Sequence, residues 1–515
     1  MRSGILCLLC LSLWVESTKA EPAISAPPNI ILIMADDMGW SDIGSFGGEI
    51  ETPNLDRLAG EGKRFTQFYN NAKCTTTRAS LLTGLYPRNG GKGIELLSEN
   101  MVTLGEALGD AGYATGLSGK WHNGSEAPHR PFDRGFQSSY GLWDGCCNFF
   151  DPSEPDPPFK GGRTRFFGEN DERITEFPDD YFTTESFTDH AIATIRREVE
   201  KGTPFFHYLA HTAPHYPLHA SPEDIALFKG RYAGGWDELR KARYERQVKM
   251  GLIDPEVFPN PGPNPNNRSW ESIPEEERAW EERRMEVYAA MVYRMDAEIG
   301  RVLDLLDELN IADNTLVAFL SDNGACPEEP GGRLTDQMFG PSEFYGHVGP
   351  DWAYAQNTPF RLYKSTSHEG GVATPLLVRW PAVVEAGTTT DAVGHIIDFM
   401  PTFLEMAGGE YPLSRAGKPI IQEEGVSLMP ILKYNELEWE RPAPLFWHWA
   451  GSRAIREGNW KLVWEKGGKK GWELYQMGAD RTETNNQADG QAALVLRMAR
   501  KWEAWATLTG VKYKD

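Results

Sequence analysis

The sequence has few cysteines for its length. Six occur among 515 residues, and two of them lie within the first twenty. Four thiols in so long a chain are too few for a disulfide scaffold, so we expect a packed core to stabilise the fold. Either Cys146 or Cys147 could pair with Cys326, and the sequence leaves that pairing open. Cys74 stands apart from the other three, which suggests a chemical role.

Long apolar runs are also scarce. An uncharged run from Gly4 to Val15 follows Arg2 and precedes Thr18-Lys19-Ala20. It is shorter than the roughly 20 apolar residues that span a bilayer, which disfavours a membrane anchor. Its basic start and small terminal residues are typical of a signal peptide, so residues 1–20 are predicted to be removed on export to the periplasm or the exterior.

Positive charge is in short supply. The chain has 52 Lys and Arg against 74 Asp and Glu, a formal net charge of −22 at pH 7. This balance argues against nucleic acid or an anionic membrane as a partner. An anionic substrate would therefore need a locally basic pocket.

Continuous apolar runs alternate with helical patterns along the chain. Runs of this kind are typical of strands buried on both faces, and their alternation with helices predicts an α/β fold with a mostly parallel sheet flanked by helices. The predicted strands are Asn29–Ala35, Pro204–Ala210 and Thr315–Leu320, and the predicted helices are Thr103–Gly112, Thr184–Gly202 and Glu275–Leu309. The Gly- and Pro-rich stretch Phe228–Trp270 is predicted to be a surface insertion.

The pattern changes near Pro442, where short strand-like pieces replace the longer elements. The pieces are Pro444–Trp449, Ser452–Ile455 and Trp460–Trp464, and a helical pattern follows over Ala492–Leu508. We predict a main domain over residues 28–441 and a small C-terminal α+β subdomain, with an antiparallel sheet and a helix, over residues 442–515.

Acidic and amide side chains follow two of the predicted strands. Asp36 and Asp37 end the first, and Asp322 and Asn323 end the last. The carboxyl ends of parallel strands meet at one edge of a sheet, where ligands bind. Hard oxygen donors suit Ca²⁺ or Mg²⁺ far better than Zn²⁺, so the pattern predicts a site for one hard cation.

Cys74 begins a helical pattern that stops at Gly84. Hydroxyl residues follow the cysteine, and Arg78 lies one turn further on. The amide groups and dipole at a helix N-terminus favour an anion, and Arg78 could reach back to the same place. The pattern therefore predicts an anion site beside Cys74.

The segment Cys74-Thr-Thr-Thr-Arg78, followed by Leu-Leu-Thr-Gly84, resembles the signature of the sulfatase family. The resemblance spans nearly the whole chain after the leader, and the insertion around Tyr232–Trp236 resembles bacterial arylsulfatases. One position departs from the pattern, since Thr76 stands where Pro or Ala is usual. The other matching motifs are Asp36-Asp37, Gly119-Lys-Trp-His122, His215-Tyr-Pro217, Asp322-Asn-Gly324, and Lys364 before His368-Glu-Gly-Gly371.

The resemblance implies an alkaline-phosphatase-like fold whose catalytic domain occupies residues 28–441, and a sulfuric ester hydrolase activity. It implies that a maturation enzyme oxidises Cys74 to formylglycine, whose hydrate attacks the sulfur of a sulfated small molecule or carbohydrate. It also implies one Ca²⁺ per chain. The implied metal ligands are Asp36, Asp37, Asp322, Asn323 and the converted Cys74, and the implied catalytic residues are Cys74, Arg78, Lys120, His122, His215 and Lys364.

Within this resemblance Arg78 and Lys120 hold the hydrate and the sulfate. His122 hydrogen-bonds the hydrate and assists elimination, and Asp322 can take the attacking proton. His215 and Lys364 face the bridging oxygen as acid and electrostatic stabiliser. Two alternatives stay open: a phosphoester or phosphonate hydrolase of the same fold, and an inactive protein that binds sulfated glycans. His211, His219 and His368 are weaker candidates, because they lie beside motif positions without matching the catalytic ones.

Overall fold

The computed structural model describes residues 26–88, 97–435, 438–466 and 471–513. The predicted signal peptide lies outside the described residues. None of the helices in the described part of the chain has both the length and the apolar character that crossing a membrane requires.

The central element is a mixed, mostly parallel sheet in the order β10-β2-β9-β8-β1-β7-β3-β4-β5-β6, with β11 beside β2. Its strands are β1 (Asn29–Ala35), β2 (Lys63–Tyr69), β3 (Ala114–Gly119), β4 (Ser138–Leu142), β5 (Phe167–Glu169), β6 (Glu172–Ile174), β7 (Phe205–Ala210), β8 (Thr315–Ser321), β9 (Ala373–Arg379), β10 (Thr388–Thr390) and β11 (Gly394–His395). Strand β1 pairs in parallel with both β7 and β8. The three strands predicted from apolar runs are thus adjacent at the centre of the sheet.

Helices cover both faces of this sheet. They are α1 (Pro53–Gly60), α2 (Cys74–Thr83), α3 (Leu104–Asp110), α4 (Thr183–Lys201), α5 (Pro222–Ala226), α6 (Gly235–Lys249), α7 (Glu275–Glu308), α8 (Gly349–Gln356), α9 (Glu369–Val372), α10 (Phe399–Ala407) and α11 (Met429–Lys433). Alternate residues of β1 belong to two separate cores, since Ile31 and Ile33 pack in the core shared with α4 and α7, and Ile30 and Leu32 in the core shared with α2, α3 and α10. Burial on both faces explains why β1 is continuously apolar.

The C-terminal region is a four-stranded antiparallel sheet with one long helix, as predicted. The four strands are β14 (Leu445–Trp449), β15 (Ser452–Glu457), β16 (Trp460–Trp464) and β17 (Glu473–Gln476), and the helix is α12 (Ala492–Leu508). A separate antiparallel pair, β12 (Ser414–Arg415) and β13 (Lys418–Pro419), precedes them in the chain. Trp447 of β14 and Trp502 of α12 are fully buried in the same apolar core. Strand β17 was not predicted, and the boundary between residues 441 and 442 stays a prediction.

The stretch Phe228–Trp270 differs from the predicted surface insertion, because it contains α6, which packs against α8. Arg243 of this helix is fully buried, with Nη1 2.6 Å from Asp42 Oδ1 and Nε 2.7 Å from Glu49 Oε2. The sequence did not predict this buried pairing, because charged residues such as Arg243 are usually exposed unless they are paired, and Glu49 lies 194 residues away along the chain.

Candidate active site

Two pairs of polar residues meet at the carboxyl ends of β1 and β8. Parallel pairing places Ala35 opposite Ser321, so the residues that follow each strand are neighbours. The Asp37 amide donates to Asp322 Oδ1 at 3.1 Å, and Asn323 Nδ2 donates to Asp37 Oδ1 at 2.6 Å. The sequence-based expectation that the two strand ends meet is confirmed by this geometry.

Two oxygens of this group have no hydrogen-bond partner. They are Asp36 Oδ1 and Asn323 Oδ1, and both residues are fully buried. Burial raises the pKa of Asp36 well above its ordinary value, and the opposing charge of Lys120 does not offset it. Ligand atoms of Asp36, Asp37 and His215 lie within 4.8 Å of one another. Buried oxygens without partners, together with a carboxylate that burial destabilises, fit a hard divalent cation.

Three buried cations surround the carboxylates. Lys120 Nζ donates to Asp36 Oδ2 at 2.6 Å, and Lys364 Nζ donates to Asp37 at 2.6 and 2.7 Å. Burial acts to lower the pKa of Lys364, but Asp37 together with Cys326, Cys74 and Glu328 outweighs burial and raises that pKa well above its usual value. Both lysines are at most 1% exposed. Each lysine is thus paired with a carboxylate of the site.

Arg78 is the third cation and projects from α2. Its Nε donates to Asp322 Oδ2 at 3.0 Å, and its Nη1 donates to the Lys120 carbonyl at 2.9 Å. The Tyr208 hydroxyl, 3.4 Å from Nη1, also supports the guanidinium. We call Asp36, Asp37, Arg78, Lys120, Asp322, Asn323 and Lys364 the catalytic cluster, after the role that the resemblance of the sequence implies for them. Its three carboxylates and three cations balance in formal charge.

Cys74 is the first residue of α2 and is 3% exposed. A charge on the Cys74 sulfur would raise the pKa of Arg78, Lys120 and Lys364, so the sulfur lies on the side of the catalytic cluster. Thr76, the departure from the family pattern, is fully buried, and its hydroxyl donates to the Asn71 and Lys73 carbonyls, each at 3.0 Å. Thr76 thus stabilises the entry into the helix.

His215 and His122 lie beside the catalytic cluster. His215 Nδ1 lies 2.5 Å from the carbonyl oxygen of Tyr216, which can only accept, so Nδ1 carries the proton and Nε2 points to Asp37 Oδ2 at 3.4 Å. His122 adopts a left-handed backbone, with φ of 58°, and lines a pocket of about 330 Å³ together with Arg163 and Arg165. Burial lowers the pKa of both histidines well below the usual value, and Lys120 acts in the same direction on His122.

The three weaker histidine candidates lie elsewhere or lack contacts. His219 bonds to the Phe149 amide and the Phe344 carbonyl, and His368 Nδ1 lies 3.0 Å from Glu483. His211 follows β7, and its ring nitrogens have no hydrogen-bond partner among the described residues. Burial lowers the pKa of His211 to about 3, so it is neutral at neutral pH.

Sequence reasoning missed Lys73 and Glu328 at the mouth of the site. Lys73 Nζ donates to Glu328 Oε1 at 2.5 Å, and Glu328 Oε2 accepts from the Tyr216 hydroxyl at 2.8 Å. Lys73 stands next to Cys74 in the chain, and Tyr216 stands next to His215. That adjacency was the available signal, whereas nothing in the sequence around Glu328 indicated its position.

All four cysteines in the described residues are free thiols. Cys146 and Cys326 belong to one small buried cluster with Tyr216 and Tyr345. Burial raises the pKa of Cys326 well above that of an ordinary thiol, and the Asp37 carboxylate adds to the effect. The pairing that the sequence left open is absent from the described residues.

The fold and the site together define a hydrolase of alkaline-phosphatase-like architecture. A model of the sulfatase family matches residues 28–409, and a model described as N-sulphoglucosamine sulphohydrolase, C-terminal, matches residues 361–504. The chain belongs to the sulfatase family and is a sulfuric ester hydrolase.

Relatives agree with this assignment. An arylsulfatase of Klebsiella aerogenes is 34% identical over 80% of this chain and 93% of its own length. An uncharacterized sulfatase of Schizosaccharomyces pombe is 33% identical over 95% of each chain, and the N-acetylgalactosamine-6-sulfatase of Homo sapiens is 31% identical over 81% of this chain and 67% of its own.

Solved structures share the fold. Ps i-CgsB in complex with k-i-k-neocarrahexaose is 28% identical, with a TM-score of 0.69 and 93% of each chain covered. The phosphonate monoester hydrolase of Agrobacterium radiobacter is 20% identical, with a TM-score of 0.59 over 94% of this chain and 96% of its own, and this likeness concerns the fold alone.

Proposed function

We propose that Cys74, converted to formylglycine by a maturation enzyme, is the nucleophile that cleaves sulfate monoesters, and that one Ca²⁺ assists it. The observation that carries the proposal is the position of Cys74 at a helix N-terminus facing the catalytic cluster, where Asp36 Oδ1 and Asn323 Oδ1 lack partners. A bound cation would give those two buried oxygens the partner that they lack.

The donor set supports calcium. The residues that would hold it are Asp36, Asp37, Asp322, Asn323 and the converted Cys74, and oxygen ligands of this kind suit a hard cation. Bound there, Ca²⁺ supplies positive charge to the sulfate oxygens and to the nucleophile. The formylglycine hydrate supplies a hydroxyl oxygen as the nucleophile.

Arg78, Lys120 and Lys364 hold the anionic end of the substrate. The acidic partners that pair with them keep them oriented, and they lie in a site from which most water is excluded. Charge interactions are much stronger in such a site than in water. These three residues neutralise the three carboxylates of the catalytic cluster, so a bound cation would give the site a net positive charge where sulfate binds.

The two histidines have different tasks. His122 would hydrogen-bond the formylglycine hydrate and assist the elimination that releases sulfate. His215 is oriented by the Tyr216 carbonyl, so its Nε2 faces the site, where it protonates the bridging oxygen as the ester bond breaks. Burial lowers the pKa of His215, and Asp37, 3.4 Å from that nitrogen, acts in the opposite direction.

We infer that the substrate is a sulfated carbohydrate or a related small sulfate ester. Two similar proteins support this class: the human N-acetylgalactosamine-6-sulfatase and Ps i-CgsB, whose structure contains k-i-k-neocarrahexaose. We also propose that residues 1–20 are cleaved during export, and that residues 28–441 form the catalytic domain and residues 442–515 the C-terminal subdomain. Amino-terminal sequencing of the exported protein tests the cleavage.

A release assay tests the activity. The chain would be co-expressed with a formylglycine-generating enzyme and incubated with aryl and sugar sulfates, and free sulfate would be measured. We expect turnover that a strong chelator removes and that Cys74→Ala lacks. Equal turnover by Cys74→Ala would contradict the proposed nucleophile.

A further inference from the structure

A carboxylate stands at the mouth of the site on the side of His215. Glu328 Oε1 accepts from Lys73, the neighbour of Cys74, and Oε2 accepts from the hydroxyl of Tyr216. Its side chain is 35% exposed, so a ligand can reach it from solvent. Glu328 is thus anchored to the chain neighbours of both the proposed nucleophile and the proposed acid.

This carboxylate is ionised at neutral pH. Partial burial acts to raise its pKa, but Lys364 and Lys73 outweigh burial and lower the pKa to about 2. An ionised carboxylate can only accept hydrogen bonds. Two of its acceptor positions face Lys73 and Tyr216, and the remaining lone pairs are available to a ligand.

An aromatic wall continues from Glu328 towards the surface. The ring centroid of Tyr216 lies 4.1 Å from that of His215, Tyr345 lies 6.0 Å from Tyr216, and Phe159 lies 5.6 Å from Tyr345. Tyr216 and Tyr345 are 7% and 9% exposed, and Lys160 Nζ lies 5.1 Å from the Tyr216 ring centroid, so Phe159, which is 44% exposed, is the ring that a ligand can reach. A charged acceptor near an exposed aromatic ring matches a polyhydroxylated ring, which offers hydroxyl donors at its edge and apolar C–H groups on its faces.

We propose that Glu328 determines specificity by accepting hydrogen bonds from the hydroxyl groups of a sugar leaving group. The inference rests on the proposed function, because it requires the leaving group to sit beside His215 and Lys364. An unsubstituted aryl group has no hydroxyls to donate. A second sulfate or a carboxylate next to the scissile ester would be repelled by Glu328.

The experiment compares Glu328→Gln with Glu329→Gln. Glu329 is the adjacent residue and also part of an ion pair, with Arg284 at 2.7 Å, and it makes no contact with the proposed catalytic residues. For each protein, kcat/KM would be measured on a panel of monosulfated hexoses and hexosamines and on 4-nitrophenyl sulfate, with formylglycine content checked. The readout is the ratio of sugar to aryl kcat/KM.

Glu328→Gln should lower this ratio about 10- to 100-fold, as expected for hydrogen bonds to a charged group. It should also raise the relative rate on a disulfated sugar, because the repelling charge is gone. Glu329→Gln should leave the ratio unchanged. A purely structural role for Glu328 would lower both rates together and keep the ratio constant.

An unchanged ratio in Glu328→Gln overturns the inference, and so does a panel in which the unmutated protein cleaves nitrophenyl sulfate but no sugar sulfate. Failure of the proposed function gives a different result. In that case the fully converted unmutated protein releases sulfate from neither substrate class.

Discussion

Two buried clusters of charged residues differ in how completely the protein satisfies them. One is the catalytic cluster. The other, which we call the interface cluster, joins the main sheet to the C-terminal sheet and consists of Tyr69, Glu369, Arg456, Lys461, Arg481 and Glu483. In the interface cluster every carboxylate oxygen of Glu369 and Glu483 has a cationic or hydrogen-bonding partner within 3.0 Å. In the catalytic cluster Asp36 Oδ1 has none closer than Arg78 Nη2, at 3.7 Å.

The difference indicates that the interface cluster stabilises the fold, whereas the catalytic cluster serves the reaction. Lys461 alone reaches Glu369 at 2.7 Å and Glu483 at 2.9 Å, so both carboxylates of the interface cluster have a close cationic partner from the chain itself, although Glu483 Oε1 and Arg481 Nε make no hydrogen bond. The catalytic cluster is buried as deeply, but its Asp36 Oδ1 lies farther from any cation, at a stability cost that a bound cation removes. Variants in the two clusters should therefore have opposite consequences.

The largest effect is expected from Asp36→Asn in the catalytic cluster. The amide keeps an acceptor for Lys120 but removes the charge that the cation needs, so kcat/KM should fall by about 10⁴-fold. Since burial already disfavours the Asp36 carboxylate, the thermal midpoint measured without calcium should change by only a few degrees. If Asp36→Asn lost much stability but kept its activity, the catalytic cluster would behave as the interface cluster is expected to behave.

His215→Ala should have an effect that depends on the leaving group. Alkoxides leave poorly without a proton whereas nitrophenolate leaves readily, so loss of a general acid should slow sugar or alkyl sulfates about 10²- to 10⁴-fold and nitrophenyl sulfate far less. The measurement is kcat/KM on both substrates at matched formylglycine content. Equal losses would transfer the role of proton donor to Lys364.

Glu369→Gln in the interface cluster should act on stability. Weakening its pairs with Lys461 and Arg481 leaves buried cations poorly compensated, and the free energy of unfolding should fall by about 3–5 kcal/mol. Activity of the folded protein at 25 °C should persist. As a control, Glu457→Gln in a more exposed pair with Arg497 should cost less than about 1 kcal/mol. A catalytic defect in Glu369→Gln would show that the two clusters are coupled.

Calcium should stabilise only proteins whose catalytic cluster is intact. A ligand at 100 times its dissociation constant raises the free energy of unfolding by about 2.7 kcal/mol. Calorimetry of unmutated protein and of Glu369→Gln should show this gain, and Asp36→Asn should lack it. If Asp36→Asn gained as much as the unmutated protein, the cation would bind elsewhere.

The two clusters also differ in how far the sequence predicts them. Asp36 and Asp322 directly follow apolar strands, so strand pairing alone predicts that they meet. The interface cluster joins Tyr69 to Glu369 across 300 residues and Glu369 to Arg481 across 112, and no local pattern records those contacts. For the same reason the sequence did not predict the position of Glu328. Partners brought together only by tertiary packing leave no periodic signal.

The chemical state of Cys74 tests the central claim most directly. Trypsin cleaves after Lys73 and Arg78, so it releases residues 74–78 as one peptide whose mass separates thiol from aldehyde. Mass spectrometry of preparations matured to different extents, assayed in parallel for sulfate release, would relate conversion to activity. The account predicts activity proportional to the aldehyde fraction and no activity without it. Full activity in protein whose Cys74 is entirely a thiol would contradict the account.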